Sequence, residues 1–381
     1  MKIVWVTRSF LDYRIPVYKA LKSLNNNDFI LIFNEDYVPD SVVEKAKKEL
    51  GESCIGLKGE LTLGNKDTTN KWANKGFRIP IQKGLIKTIK KEQPDVIISD
   101  GFFQWTYAAL WMRFIYKTKH IMCYERTHHT ERNAQWFRIA YRKFVLRWID
   151  AICCTGILCS NYVKSLGFKE DKIAFGHMVG DIDTFLTVKQ TESEVLNLHK
   201  NKDAVKYIYV GRIVDAKGIN ELLLSWKKFE KNKNVALYLI GHGPQKNKYD
   251  NKSKDLGLTN VYFIGKVDYD NLPNYYQSAD VFVIPTLEDN WSLVVPEAMA
   301  SGLPILSSVY NGCYPEYVTE DNGWVFDPLD SSDFVEKLET SYNCDNLKEM
   351  GENSKKIISK CTPLHAASSI LKAIKLTTKK I

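Results

Sequence analysis

The chain reads as an α/β protein built from two doubly wound domains. Three observations predict this. Short apolar runs alternate with amphipathic helical patterns from end to end, the alternation breaks off near residue 180 and restarts near 206, and 381 residues suit two domains at about 100 to 200 residues each. A content of 44% apolar and 26% charged residues is that of an ordinary folded protein. It excludes a disordered, collagen-like or mini-protein chain.

In the first series, candidate strands at 3–6, 29–33, 96–98, 121–124 and 151–153 alternate with helical patterns such as 15–24, 81–91 and 137–148. The second series has candidate strands at 207–210, 236–240, 261–264, 281–284 and 304–306. Such alternation builds parallel sheets through right-handed crossovers, so two series give two doubly wound domains. The expected division is a first domain over 1–180, a linker over 181–205 and a second domain over 206–360. The linker contains Gln190 to Asp203, a polar stretch without aromatic residues. A final helix is expected over 363–376, with Thr362 as N-cap and Pro363 in the first turn. Its apolar face, Leu364, Ala367, Ile370, Leu371 and Ile374, is expected to pack back on the first domain. Residues 40–80 are less periodic and rich in Gly, Lys and Asn, which reads as an extended loop region.

The opening apolar run, Ile3 to Val6, ends at Thr7 and Arg8, too short for the apolar core of a secretory signal. No stretch approaches the ~18 uninterrupted apolar residues of a spanning helix. A cytoplasmic chain is expected. Eight cysteines in this length are few for an oxidised scaffold, and Cys153, Cys154 and Cys159 lack C-x-x-C spacing, so buried free thiols are expected rather than a zinc site.

The net charge of +8 is unevenly placed: residues 1–180 hold 29 Lys and Arg against 18 Asp and Glu, a balance of +11, which leaves −3 for the rest. Within 137–148, Arg138, Arg142, Lys143 and Arg147 alternate with Phe137, Tyr141, Phe144, Val145 and Trp148 at helical spacing. One reading is a helix lying on anionic lipid or along a nucleic-acid backbone. The other is a surface helix whose apolar stripe packs inward and whose Arg/Lys face is solvated.

In open α/β sheets ligands sit beyond the carboxyl ends of the strands, so chemistry is sought in the strand-to-helix turns. After the strand at 207–210 comes Gly211-Arg212-Ile213-Val214-Asp215-Ala216-Lys217-Gly218. Gly211 permits close approach of a ligand, and Arg212 and Lys217 set two cations at a helix entrance, a grip suited to a diphosphate. After the strand at 281–284, residues Asn290 to Ser292 are expected to cap a helix that closes at Gly302. Asp289 then precedes that helix and Glu297 lies within it. Carboxylates accept from ribose and sugar hydroxyls while helix N–H groups meet phosphate, which suits an anionic sugar nucleotide. As an acid–base pair the same two residues would suit a glycosidase.

These segments, taken in order, resemble the carboxyl-terminal domain of retaining family 4 (group 1) glycosyltransferases, the GT-B architecture of two Rossmann-like domains facing across a cleft. The resemblance covers about 150 residues. It runs through Gly211-Arg212 with Lys217-Gly218, Ile240-Gly241-His242-Gly243-Pro244, Phe263-Ile264-Gly265-Lys266-Val267, Ala279-Asp280-Val281-Phe282-Val283-Ile284-Pro285, Glu297-Ala298-Met299-Ala300-Ser301-Gly302-Leu303-Pro304 and Gly323-Trp324-Val325-Phe326-Asp327-Pro328. It implies that Gly211, Arg212 and Lys217 bind the donor diphosphate and that Glu297 binds the ribose. It implies that Ile264, Lys266 and Val267 read the base and that Asp289, Asn290, Trp291, Ser292 and Leu293 hold the transferred sugar and distal phosphate. The sequence departs from the family in carrying Asp289 where the first Glu of its E-x7-E pair is expected, with Glu288 next to it as the alternative. The paired glycines common after the first strand are replaced by Thr7-Arg8-Ser9-Phe10.

In the first half, Tyr124-Glu125-Arg126-Thr127-His128-His129 follows a strand, and the resemblance implies a cleft histidine there. His128 is the first choice as a catalytic group orienting donor sugar or acceptor hydroxyl, with Glu125 as the other candidate; adjacent histidines at a helix start are also often simple caps. Asp181-Ile182-Asp183 spells the D-x-D metal–diphosphate signature of another transferase architecture, but falls at the domain junction. Gly241-His242-Gly243 begins a dinucleotide fingerprint but has Lys246 where the third glycine belongs.

The expected activity is therefore that of a retaining glycosyltransferase (EC 2.4). It would use a nucleoside-diphosphate sugar as co-substrate and neither metal nor other cofactor, with catalytic groups His128, Asp289 and Glu297. The expected acceptor is a lipid-linked or membrane-surface glycan of bacterial O-antigen, capsule or lipopolysaccharide synthesis, with peripheral contact to anionic membrane at the inner face and no nucleic-acid partner. A GT-B sugar-nucleotide epimerase or phosphorylase is the alternative enzyme. A nucleic-acid-binding protein ranks below both, since no RNP-like motif, zinc finger or Gly-Arg tract is present.

Overall fold

A computed structural model describes residues 1–64, 78–180, 182–187 and 203–377. The chain divides into two compact units, Met1–Val179 with Cys361–Ile381, and Gly180–Lys360. The strands of the first unit are β1 (Ile3–Thr7), β2 (Phe29–Asn34), β3 (Cys54–Leu57), β4 (Glu60–Gly64), β5 (Arg78–Gln82), β6 (Val96–Asp100), β7 (Lys119–Tyr124), β8 (Ala151–Cys154) and β9 (Ile173–Phe175). Those of the second are β10 (Val205–Val210), β11 (Val235–Ile240), β12 (Val261–Gly265), β13 (Val281–Ile284), β14 (Ile305–Ser308) and β15 (Gly323–Phe326).

Seven strands of the first unit form a parallel sheet in the order β3-β2-β1-β6-β7-β8-β9. The second sheet, also parallel, has the order β12-β11-β10-β13-β14-β15. Both are doubly wound: the chain builds outward from one central strand, then returns to its other side. The order reverses between β1 and β6 and again between β10 and β13, and beyond the carboxyl ends at such a point the flanking loops diverge and leave a crevice.

Near-continuous apolar strands fit sheets covered on both faces. Trp5, Tyr18, Phe29 and Phe33 form much of the first core, together with Ile370 and Ile374 from the helix Pro363–Leu376. Burial of each such side chain contributes roughly 1.5 to 3 kcal/mol. The Thr362 hydroxyl caps that helix by accepting from His365 N at 3.2 Å. Tyr207, Trp226, Phe229 and Leu237 anchor the second core. All eight cysteines are free and six are buried.

Three sequence expectations about the first unit are corrected. Residues 40–80 are not an extended loop: Asp40–Leu50 is helical, β3 joins the sheet edge, and β4 and β5 form an antiparallel hairpin, while 65–77 lie outside the described residues. The helix expected from 81 begins at Leu85, because Ile81 pairs in the hairpin and Gly84, at φ +82°, turns the chain first. Most of the linker expected over 181–205, and Asp181 of the D-x-D run, lie outside the described residues; Asp183–Thr187 is helical.

The third correction concerns the helix Trp136–Leu146. Arg138 and Arg142 face inward, 7% and 2% exposed, whereas Trp136, Phe137 and Phe144 are exposed at 80%, 40% and 53%. The expected inward apolar stripe and solvated Arg/Lys face hold for Val145, Lys143 and Arg147 but fail for Arg138, Arg142, Phe137 and Phe144. Buried acidic and aromatic partners reverse the usual polarity, since a guanidinium is buried only where its donors are met.

Candidate active site

In the second unit the turns at the strand-order reversal are tied together by backbone. Gly211 N donates to Ile240 O at 3.0 Å and Gly241 N to Gly265 O at 2.7 Å, which laces together the carboxyl ends of β10, β11 and β12. The loop after β10 also meets the turn after β13. Gly218 has φ +68°, and a Cβ there would stand 1.9 Å from Pro285 O, so only glycine permits this approach. Ala216 O accepts from Leu287 N at 2.9 Å and Glu288 N at 3.2 Å, closing the same junction.

That junction brings Lys217 to Asp289. Lys217 Nζ is ion-paired with Asp289 Oδ2. The same oxygen accepts from Ser292 Oγ at 2.9 Å, and Oδ1 accepts from Trp291 N at 3.3 Å. Asp289 thus organises the 289–292 turn besides holding Lys217. The helix that follows is Val294–Ala300, with Leu293 as N-cap and no side-chain cap. The expectation that Asn290 to Ser292 cap it is corrected, because Ser292 donates its hydroxyl to Asp289 instead. The Trp291 ring is buried against Tyr317, with centroids 5.2 Å apart, while Asn290 and Leu293 are half-buried.

Glu297, one turn into that helix, is buried, and its Oε2 accepts from Tyr276 Oη at 3.1 Å. Burial, and then the Glu297 carboxylate, push the Tyr276 phenol well above its usual range, so it remains a donor to Glu297. Arg212 and Lys266 are exposed at the same ends of the sheet, and Ile264, Val267 and Glu288 are half-buried. Lys217, Asp289 and Ser292 are thus in direct contact, with Arg212 in the loop that carries Lys217. A larger cavity of about 690 Å³ lies by Asp280 and Pro304, at the amino-terminal edge of the sheet and away from these residues.

His128 belongs to the first unit, in the turn after β7. It is exposed, with its ring edge-on to Tyr162 at 5.3 Å, and does not line that unit's cavity. Glu125 does, within about 340 Å³ at the carboxyl ends of β1, β6 and β7. Sequence reasoning missed most of that lining. Arg14 pairs with Asp100 at 3.1 Å, and Arg142 with Glu131 at 2.6 Å. The available signal was Arg138 and Arg142, four apart and therefore on one helix face. Arg8, standing where the paired glycines are absent, pairs with buried Glu60 at 2.7 Å.

Residues 190–357 match the family described as glycosyl transferases group 1. This segment is a group 1 glycosyltransferase domain. The chain is 34% identical over 126 residues to an uncharacterized glycosyltransferase of Methanocaldococcus jannaschii, covering 32% of each chain. It is 35% identical over 153 residues to the capsular polysaccharide biosynthesis glycosyltransferase CapM of Staphylococcus aureus, covering 39% of this chain and 40% of that one. The chain therefore spans well under half the length of these curated relatives. Among solved structures, HepE of Anabaena in complex with UDP superposes with a TM-score of 0.75 at 12% identity, over 98% of this chain and 100% of that one. Sucrose-phosphate synthase from Thermosynechococcus elongatus gives 0.71 at 15% identity, over 98% of both. At these identities the likeness is one of fold: the group 1 domain and the unit before it are the two Rossmann-like domains of GT-B.

Proposed function

We propose that the chain is a retaining family 4 glycosyltransferase that moves a sugar from a nucleoside-diphosphate sugar to an acceptor hydroxyl in the assembly of a bacterial surface polysaccharide. The observation that carries this reading is the convergence of Lys217, Asp289 and Ser292 at the strand-order reversal of the second unit, with Arg212 in the loop that carries Lys217 and Glu297 on the next helix. The relatives support it by name: one is a capsular polysaccharide glycosyltransferase and another a lipopolysaccharide 1,2-N-acetylglucosaminetransferase of Salmonella typhimurium. HepE was also solved with UDP-glucose.

In this reading Arg212 and Lys217 take the donor diphosphate, and Glu297 accepts from ribose hydroxyls. Asp289, or Glu288 beside it, accepts from the transferred sugar. Bond breaking at the anomeric carbon shifts charge to the leaving diphosphate, and the two cations stabilise that charge. No side-chain nucleophile is needed: the acceptor attacks from the face the diphosphate leaves, a diphosphate oxygen takes the acceptor proton, and the anomeric configuration is kept. His128 orients the donor sugar or the acceptor. No metal takes part, so turnover abolished by chelator and restored by manganese would count against the scheme.

A membrane-surface acceptor is supported by exposed apolar side chains of the first unit. Trp111, Phe114, Ile115 and Tyr116 on the helix Thr106–Tyr116, and Trp136 and Phe144 on Trp136–Leu146, all face solvent, with exposed Lys143 and Arg147 nearby in sequence. Among the described residues no helix is long and apolar enough to cross a membrane. The reading is therefore of peripheral attachment at the inner face.

The test is a melting-temperature panel with UDP-, GDP- and ADP-sugars. A ligand at a hundred times its Kd stabilises the native state by about 2.7 kcal/mol, so the donor announces itself as an upward shift. NMR of the product, made with the donor so found, should show the donor's anomeric configuration. No shift with any sugar nucleotide would overturn the function, and an inverted product would overturn its retaining mechanism.

A further inference from the structure

The first unit has its own strand-order reversal, between β1 and β6, and the cavity of about 340 Å³ lies there. That volume falls within the roughly 300 to 1,000 Å³ usual for small-ligand sites. Separate elements bring polar side chains to its wall: β7 ends in Tyr124, the helix Trp136–Leu146 carries Arg142, and the turn after β9 carries His177. They are 4%, 2% and 2% exposed. Tyr124 Oη, Arg142 Nε and His177 Nδ1 are buried without a hydrogen-bond partner among the described residues. Buried polar groups are normally satisfied, so atoms of this kind around a cavity mark where a ligand's hydrogen bonds belong.

Each side chain is held in place by its other contacts. The Tyr124 ring lies edge-on to Phe102, with centroids 5.0 Å apart, and stacks on Tyr162 at 6.2 Å. Arg142 is gripped at its outer nitrogens, by Glu131 at 2.6 Å and by Tyr162 Oη at 2.6 Å, which leaves Nε. His177 Nε2 stands 3.1 Å from Tyr124 O, and a carbonyl oxygen only accepts, so Nε2 carries the hydrogen. Burial, and then the Arg14 charge, lower the imidazole pKa to about 3, so the ring is neutral and Nδ1 presents a bare lone pair. The unmet set is therefore mixed: Arg142 Nε donates, His177 Nδ1 accepts, and Tyr124 Oη does either. An ionised carboxylate has nothing to donate to Nδ1, and an ammonium has nothing to accept from Nε. Hydroxyls serve all of them, and the Phe102 and Phe103 rings in the same wall suit the apolar face of a sugar.

We propose that this cavity holds an uncharged sugar ring of the acceptor, whose hydroxyls donate to His177 Nδ1, accept from Arg142 Nε and pair with Tyr124 Oη. The proposal rests on the transferase reading, in which the first unit takes the acceptor. It names the acceptor's class: a glycan that presents a neutral sugar to the first unit.

Isothermal titration of the full chain with the methyl α-glycosides of glucose, galactose, mannose and N-acetylglucosamine, and with glucuronate, tests it. At least one neutral glycoside should bind, and more tightly than glucuronate. Y124F removes an oxygen that no described residue meets, so stability to urea should hold or rise, while affinity for that glycoside falls about three- to tenfold. H177Q keeps an N–H for Tyr124 O but loses the Nδ1 acceptor, and should show the same fall; Y124F decides the matter if H177Q unfolds. No binding of any neutral glycoside, tighter binding of glucuronate, an affinity in Y124F within about twofold of the natural one, or a Y124F chain less stable than the natural one would overturn the proposal. The sugar-nucleotide panel on the same proteins separates the two readings. Glycoside binding that Y124F weakens, without any sugar-nucleotide binding, keeps the cavity and sinks the transferase, and a sugar nucleotide bound without any glycoside sinks the cavity alone.

Discussion

The ion pair of Lys217 and Asp289 sets a competition that a donor diphosphate must win. Lys217 Nζ is held by Asp289 Oδ2, which also takes Ser292 Oγ at 2.9 Å, and the two side chains of the pair are only 22% and 15% exposed. Charge-assisted hydrogen bonds in such surroundings are worth roughly 1.5 to 3 kcal/mol, and each 1.4 kcal/mol is tenfold in Kd. K217M should therefore weaken binding of the preferred nucleoside diphosphate by about 10- to 100-fold. D289N keeps the shape of the turn but removes a negative charge and releases Lys217. It should tighten binding of the nucleotide alone, by up to about tenfold, while lowering transfer if Asp289 holds the sugar. In the double variant, loss of Lys217 should cost more affinity than in the natural chain, a coupling of roughly 0.5 to 3 kcal/mol. Isothermal titration of the four proteins measures the cycle, and urea unfolding corrects for stability. K217M binding the nucleotide within about twofold of the natural chain would refute a phosphate role for Lys217, given what such a bond is worth. D289N weakening binding as strongly as K217M would make Asp289 the anchor and Lys217 its support.

Glu297→Gln keeps an acceptor for Tyr276 but removes the charge, so the melting temperature should hold while kcat/KM falls about 10- to 100-fold. Near-normal kinetics would pass the role to Glu288 or Asp289. Gly218→Ala forces a side chain into φ +68° and towards Pro285 O; it should cost about 1 to 3 kcal/mol of stability and part of the nucleotide affinity, and an unchanged protein would remove the argument for a close approach there. Replacing Trp111 and Phe144 together by Ser should lower co-sedimentation with anionic phospholipid vesicles, and sedimentation equal to that of the natural chain would dismiss this surface as the docking face. Burial lowers the pKa of both His120 and His177 to about 3. Between pH 6.5 and 3 the unfolded chain binds protons that the folded one does not, so stability should fall with pH across that window, by up to about 1.4 kcal/mol per pH unit for each histidine. His120→Gln should flatten the urea-denaturation profile there, and an unaltered slope would deny the histidine that part.

The alternation of apolar runs and helical patterns was enough to read the two sheets apart from the short edge strands β3, β9 and β15, because parallel strands covered on two faces leave nearly uninterrupted apolar runs. The donor-side turns were legible for a related reason. Gly211, Gly218 and Gly241 each meet another backbone or a crowded ring where a side chain would not fit, so the requirement is written into the residue type. The hairpin of β4 and β5 was not legible. Its partners lie about twenty residues apart and Leu61, Leu63, Ile79 and Ile81 are exposed, so no buried face imposed a pattern. The capping error at Asn290 to Ser292 came from a competition that local rules do not weigh: a serine hydroxyl can serve a backbone N–H or a neighbouring carboxylate, and Lys217, brought in from 72 residues away, helps fix that carboxylate where Ser292 meets it.

The least legible feature was the direction of the first half's charge. A balance of +11 over residues 1–180 suggests a basic exterior. Yet Arg14, Arg138 and Arg142 are buried around one cavity, and what the helix Trp136–Leu146 turns outward is largely aromatic. A buried guanidinium is stable only when paired, and a buried ionic cluster is commonly no more stabilising than apolar residues of the same volume. Packing alone therefore gives no reason to place three arginines beyond the carboxyl ends of β1, β6 and β7. What holds Arg14 and Arg142 there is carboxylate: Asp100 meets Arg14 at 3.1 Å and Glu131 meets Arg142 at 2.6 Å, a pairing between distant parts of the chain that local charge counting does not show.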